Sequence, residues 1–472
     1  MNTVYLPFTL TLKARAVISA AGGDPNSSKT LGYIPGSTLR GAVARTLGDP
    51  GTDRDSPSFR TFHDLVLSEN IRYLNAYPRI SGRRTIPAPA SLQRAKYPED
   101  DGSADGNRAL EVFDFLHSEK PEKRVAGLPY EFLALGEARP TLRAPSSGAR
   151  IHHQRDRVMG RAWTERNGKV EIARGAVYAY EYLESGQVFE GLVVLRGTED
   201  EIERRRAALK ARLPETLLVG RSRRGSYGGD TRLKWSKAVS CEFEGAGTLG
   251  LALQTGDLDP GQVFRVLLTS PYIGRNEDTG QPDPTWFEAE ILQRLAEASG
   301  SDPAARVVKR WWGFETAGGF NRKWRLELPQ ARALAAGSVM LLEATRGIPA
   351  ATLAEIQHAG LGERQTEGFG RVVFLDPPVA ALRLEIDDST GEAQAVLPPD
   401  PPEEVLALER RLLTARAHRA ADQTAALLVQ GAKRIPPNSL LGRLRTPLRG
   451  EAETGLSHLK TWLGSGEEAL KA

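Results

Sequence analysis

The sequence predicts an α+β protein: two successive mixed units followed by a C-terminal helical extension. Three observations carry that prediction. Residues 3–18 alternate between apolar and polar with a period of two. A hairpin, a helix, a glycine-rich basic loop and a strand then follow one another twice, about 140 residues apart. A proline-rich linker at 396–402 separates the second set from a long helical pattern over 403–430.

In the first unit Val4, Leu6, Phe8, Leu10 and Leu12 share one side, while Thr9, Thr11, Lys13 and Arg15 line the other. This pattern predicts a long strand with one buried face. Past the turn-rich residues 21–28, Ser37 reads as a helix N-cap, with Leu39, Val43 and Leu47 recurring along one face. Residues 48–60, 94–108 and 140–149 read as polar loops. Val177 to Tyr182 and Val188 to Leu195 flank Glu184-Ser185-Gly186, which predicts a hairpin. Thr198 and Glu201 form a capping box that starts a helix to about Leu213. A glycine-rich loop, Gly220 to Gly229, leads to a strand with Leu233, Trp235 and Val239. That order is the order of a ferredoxin-like, or RRM-like, fold.

The second unit repeats the grammar. Val263 to Thr269 is an apolar strand, and Trp324 to Leu328 and Val339 to Glu343 flank a turn at Gly337. A helix from Pro349, the loop Gly360 to Arg371 and the strand Val372 to Leu375 complete it. The predicted boundaries are 1–245 for the first unit, 246–395 for the second and 403–472 for the extension.

Composition narrows the function. The net charge is only +4, so any basic surface must come from local clustering. The single cysteine, Cys241, excludes an intramolecular disulfide framework and a cysteine-rich zinc site. It fits a reducing, cytoplasmic setting. No long apolar run predicts a membrane span, and Lys13 and Arg15 within the first apolar stretch argue against a signal peptide. The chain carries neither a P-loop nor a G-x-S-x-G motif.

The glycine-rich loops point to nucleic acid. Glycine lets the backbone approach a ligand, and arginine matches phosphate oxygens. Arg221, Arg223 and Arg224 lie close to Tyr227, the basic-plus-aromatic pairing that tracks a single strand. The second loop offers Arg364, Phe369 and Arg371. Lys309-Arg310-Trp311-Trp312 is another basic–aromatic run, suited equally to core or subunit contact.

Two of these segments carry a resemblance. Ile34-Pro35-Gly36-Ser37-Thr38-Leu39-Arg40-Gly41 resembles the first-helix start of the RAMP superfamily of CRISPR-associated proteins. Gly360-Leu361-Gly362 through Gly368-Phe369-Gly370-Arg371 resembles its terminal glycine-rich loop. A third segment, Arg150-Ile151-His152-His153 with Arg155-Asp156-Arg157, is similar to a run found in backbone subunits. There the family has aspartate where this chain has His152. Two RAMP units and a helical tail resemble the large tandem-RAMP subunit of type III-D effector complexes. The resemblance implies a crRNA-binding and assembly subunit that holds the guide backbone or 5′ tag. It further implies target RNA, other RAMP subunits and a polymerase-like large subunit as partners. Carried over residue by residue, it places Ser37, Arg40, His152, Arg155, Arg157 and both glycine loops at RNA.

An endoribonuclease is the rival reading. Some RAMP subunits cut target RNA with an aspartate between the first strand and first helix, and Asp24 is the only acid in residues 20–33. Mg²⁺ is needed only if the chain cleaves RNA; binding requires no cofactor. His152 or His153 is the general acid–base candidate for cleaving precursor crRNA. His63-Asp64 lacks companion metal ligands at useful spacing.

Overall fold

The computed structural model describes residues 2–20, 27–80, 82–96, 109–117, 122, 124–135, 140–153, 165–167, 170–172, 177–221, 227–243, 247–300, 303–321, 326–387, 403–431, 438 and 457. Residues 1–394 form one compact unit and 395–472 a second. The chain is a mixture of helices and sheets, as expected.

The first sheet is built from β1 (Asn2–Leu12), β2 (Ile71–Tyr73) and β3 (Tyr77–Ile80), later strands completing it. Between β1 and β2 lies α1 (Gly36–Leu47). Next along the chain come β4 (Ala109–Asp114), β5 (Ser147–His153), β6 (Val177–Leu183), β7 (Val188–Gly197), α2 (Glu199–Arg212) and β8 (Asp230–Trp235). The sheet order is β8–β1–β7, with β2 and β3 both on β7, and every pairing is antiparallel. The period-two pattern of β1 places Leu6, Phe8, Leu10 and Leu12 in the core against Leu39 and Val43 of α1 and Ile202 and Leu209 of α2. Thr198 and Glu201 cap α2 reciprocally, as their spacing predicts.

The second sheet uses β9 (Val263–Leu268), β10 (Ala305–Trp311), β11 (Val339–Ala344) and β12 (Val372–Leu375), with α3 (Trp286–Ser299) and α4 (Ala350–Ala359) between them. Its order is β10–β11–β9–β12, again antiparallel. Phe264, Val266 and Leu268 face the helices through Phe287, Ile291, Leu295, Leu353 and Ile356. The alternate residues Leu267, Leu341, Val373 and Leu375 face the other way. They pack on Leu110 and Val112 of β4 and on Leu382 and Leu384 of β13 (Ala381–Ile386). β13 pairs antiparallel with β4, joining a strand of the first half to one of the second.

Both expected hairpins are corrected. Val177 to Tyr182 does not pair with β7; β6 pairs with β5 and, in parallel, with Ser27–Ser28. β11 pairs with β10 and β9, not with the expected segment before Gly337, whose Leu326–Glu327 pairs with Phe320–Asn321. Residues 140–149 are not a loop throughout, since Thr141–Arg143 and the start of β5 are strand.

In the second unit, α5 (Glu403–Gly431) is one 29-residue helix. Its Leu408, Leu412, Leu413 and Leu427 are exposed. Beyond Gly431 only Asn438 and Ser457 are described. No described helix is long and apolar enough to cross a membrane.

Candidate nucleic-acid interface

The period of two along β6 puts Tyr178, Tyr180 and Tyr182 on one face of the β5–β6 ribbon. The register sets His152 opposite Tyr178, Arg150 opposite Tyr180 and Gly148 opposite Tyr182. The rings touch in sequence. His152 stacks on Tyr178 at 5.3 Å between centroids and 18° between planes. Tyr178 and Tyr180 lie 5.0 Å apart. Tyr227, arriving from the first glycine loop, meets Tyr182 at 5.4 Å and His152 edge-on at 5.5 Å. Its hydroxyl and His152 Nε2 form a hydrogen bond of 2.9 Å.

Cations frame these rings. The Arg221 guanidinium lies 4.9 Å over Tyr180 and that of Arg15 4.8 Å over Tyr182. Arg221 also donates to Ser19 Oγ at 3.1 Å, and its backbone N–H donates to Val17 O. Arg15 pairs with Glu184 at 3.0 Å. Arg150 and Arg221 are exposed, Tyr178, Tyr180 and His152 are half-buried, and Tyr182 and Tyr227 are buried. The result is a two-layer platform: a buried base of two tyrosines and an accessible layer of rings edged by arginine. Partly exposed aromatic rings beside guanidinium groups can stack bases while the charges meet phosphates.

Three expected site residues, His152, Arg221 and Tyr227, therefore converge although they lie far apart in sequence. Tyr227 needs correcting: at 4% exposure it has no free face for a base and instead supports the other rings. Tyr178, Tyr180 and Arg150 were missed as site residues. Their signal was legible as tyrosine at every second position of one strand. Asp24, Arg155, Arg157, Arg223 and Arg224 lie outside the described residues.

A second cluster gathers Arg40, Arg364 and Phe369. Arg40 of α1 pairs with Glu367 at 2.8 Å, and Arg364 holds the same carboxylate at 2.5 Å. The Arg364 guanidinium lies 4.5 Å from the centre of the Phe369 ring. Ser37 is half-buried and is not the cap: the helix begins at Gly36, with Pro35 as N-cap and no side-chain cap bond. The amide of Gly36 donates to Asn75 Oδ1 at 2.9 Å, so this helix end is already partnered.

The second loop is not a nest of open amides. Leu361 N donates to Gly370 O, Glu363 N to Ile273 O, Gly370 N to Pro271 O and Gly362 N to Glu290 Oε1. Its glycines serve close packing. A Cβ at Gly370 would lie 1.7 Å from Leu361 O, and φ there is 67°.

Arg371 is the other correction. It is 2% exposed and donates to Glu242 and the Tyr5 hydroxyl. Glu242 also takes Arg84 at 3.1 Å. Tyr5 in turn bonds His358 Nδ1 at 2.8 Å. Burial, then Arg371, lowers the affinity of His358 for a proton. Burial, then the same arginine, pushes Arg72 down to about 10. This network joins β1 to the α4–β12 segment and leaves Arg371 no fork for phosphate.

The sequence's other candidates are also placed. Asp64 is tied to Arg205 at 2.7 Å and Arg204 at 3.4 Å, so the His63-Asp64 pair serves an ion-pair network. No cluster of three or more metal-ligating side chains occurs among the described residues. Lys309 donates to His117 O and Trp311 packs on Phe115, which makes that run part of the intramolecular packing.

No protein-family model matches the chain. No curated protein matches it either. Solved structures do match. The chain is similar to subunits of CRISPR complexes. One is from a type III-B Cmr-beta complex bound to cognate target RNA, with 11% identity over 71% of this chain and 86% of that one, at a TM-score of 0.36. Another is from the Csm3-Csm4 subcomplex of a type III-A CRISPR-Cas interference complex, with 11% identity over 79% of this chain and all of that one, at 0.34. A third is from a type IV-B CRISPR complex, with 11% identity over 51% of this chain and 93% of that one, at 0.24. These matches are of the kind to which the sequence resemblance points.

Proposed function

We propose that the chain is a non-catalytic crRNA-binding and assembly subunit of a type III CRISPR effector complex, of the III-D kind. The observation that carries this reading is the ring platform of Tyr178, Tyr180 and His152 edged by Arg150 and Arg221. Two further features support it. The orders β8–β1–β7–β2 and β10–β11–β9–β12, each with two helices on one face, support a reading as two tandem ferredoxin-like RAMP units, which we place at 1–245 and 246–395. The helical extension, 403–472, bears exposed leucines suited to a neighbouring subunit. The inner face of the second sheet is covered by β4 and β13, so a strand of RNA meets the β5–β6 platform rather than that sheet.

In this reading the platform holds the guide backbone or its 5′ tag while the guide pairs with target RNA. Other RAMP subunits and the polymerase-like large subunit are its protein partners, in the cytoplasm. Binding needs no metal; Mg²⁺ belongs only to a cleavage reaction.

Fluorescence anisotropy with a labelled single-stranded RNA tests it. Tyr178→Ala and Tyr180→Ala should each weaken binding by about 1–3 kcal/mol, the usual worth of one base stacked on a ring. Unchanged affinity in both variants would remove the basis of the reading. Cleavage assays in Mg²⁺ and in EDTA test the non-catalytic part. RNA cutting by the wild type that disappears in Asp24→Ala would make the chain an endoribonuclease instead.

A further inference from the structure

Glu367 bridges two arginines that reach it from distant parts of the chain. Its Oε1 accepts from Arg40 Nη1 at 2.8 Å. Its Oε2 accepts from Arg364 Nε at 3.0 Å and Nη2 at 2.5 Å. Each guanidinium also has a second anchor. Arg40 Nε donates to Val66 O at 2.8 Å, and Arg364 Nη1 donates to Gly318 O at 3.0 Å. The Phe369 ring holds the Arg364 plane from one side.

The backbone around Glu367 is built to be held, and it is strained. Arg364 is the one non-glycine residue with positive φ among those described, at 57°. Such a conformation is strained for a residue with a side chain and clusters at ligand clamps and switches. Gly368, at φ 86°, closes the other end of the short turn Gln365–Glu367. The backbone of Glu367, not its carboxylate, packs on the start of α1: a Cβ on Gly36 would lie 2.5 Å from Glu367 O. The carboxylate is therefore free of that packing duty.

Without the carboxylate, two fixed cationic forks would converge on one spot. A phosphodiester carries one negative charge and two free oxygens, the same endowment as a carboxylate. We propose that Glu367 is a displaceable occupant of a phosphate site. One phosphate of a single RNA strand takes its place between Arg40 and Arg364, and the carboxylate turns out to solvent. The inference rests on the reading that this chain binds single-stranded RNA, and it adds an internal competitor that sets how tightly.

The test is anisotropy with a labelled oligouridylate across a salt series, on wild type, E367Q, E367D and Tyr180→Ala, each checked for a cooperative thermal melt. E367Q removes the competing charge and E367D withdraws it from one guanidinium. Either, if folded, should bind about tenfold tighter, with the slope of log affinity against log salt unchanged, because the same phosphate is neutralised in each. Adding R40A to E367Q should abolish the gain and reduce the slope by roughly 0.7. Wild-type or weaker affinity in folded E367Q or E367D, while Tyr180→Ala still weakens binding, overturns this inference and leaves the RNA reading standing. Affinity unmoved by Tyr180→Ala overturns the reading beneath it.

Discussion

The ring of Tyr182 lies directly over Gly148: a Cβ on Gly148 would come within 2.8 Å of the phenol oxygen. The glycine is what lets β5 approach the aromatic face of β6. Gly148→Ala should push the ring out and loosen its packing on Tyr227 and Arg15, at a cost of about 1–3 kcal/mol, typical of overpacking. A thermal melt measures it, and RNA affinity should fall with it. An unchanged midpoint would contradict the packing described.

Arg371 and Glu242 make the opposite kind of prediction. Arg371→Met leaves Glu242 buried with Arg84 as its remaining cation, which should cost about 3 kcal/mol in a denaturant titration. Adding Glu242→Leu should cost more still, because it leaves the buried Arg84 without its carboxylate. The salt dependence of RNA binding should stay as in the wild type, because Arg371 offers nothing to a phosphate.

The platform arginines should behave otherwise. Arg150→Ala with Arg221→Ala should reduce the slope of log affinity against log salt by roughly 0.7 for each phosphate no longer neutralised, with little change in stability. An unchanged slope would mean that these cations do not face the nucleic acid.

A carboxylate supplies a pH prediction. Burial, and then the neighbouring Glu131, pushes Glu315 up to about 7 from 4.5. The folded state therefore holds a proton that the unfolded chain releases above about 4.5. This contribution to stability is complete below that pH and is lost as pH rises toward 7. Glu315→Gln should flatten the decline across that window by roughly 1–3 kcal/mol, read from chemical denaturation at pH 4.5 and pH 7.5.

Local chemistry made part of the fold legible. The alternation of Leu6, Phe8, Leu10 and Leu12, the Thr198–Glu201 box and the apolar strands at 263–268 and 372–375 each act within a few residues, so the sequence alone reveals them. Pairing partners were a different matter. β6 sits beside β7 in sequence but pairs with β5, and β11 reaches back to β10, because burial over long chain distances outweighs hairpin proximity. The same distance hid the roles of Arg371 and Tyr227. A glycine-rich, basic, aromatic stretch looks alike whether open or closed, and Glu242 and His152, which occupy these two, lie far away in the chain.

The pairing of β13 with β4 fastens the end of the segment that forms the second sheet to an excursion from the first. The two sheets are thereby stitched together. Severing the polypeptide near residue 245 would orphan a strand on each side, so the halves should be recovered as a native-like pair only when co-expressed.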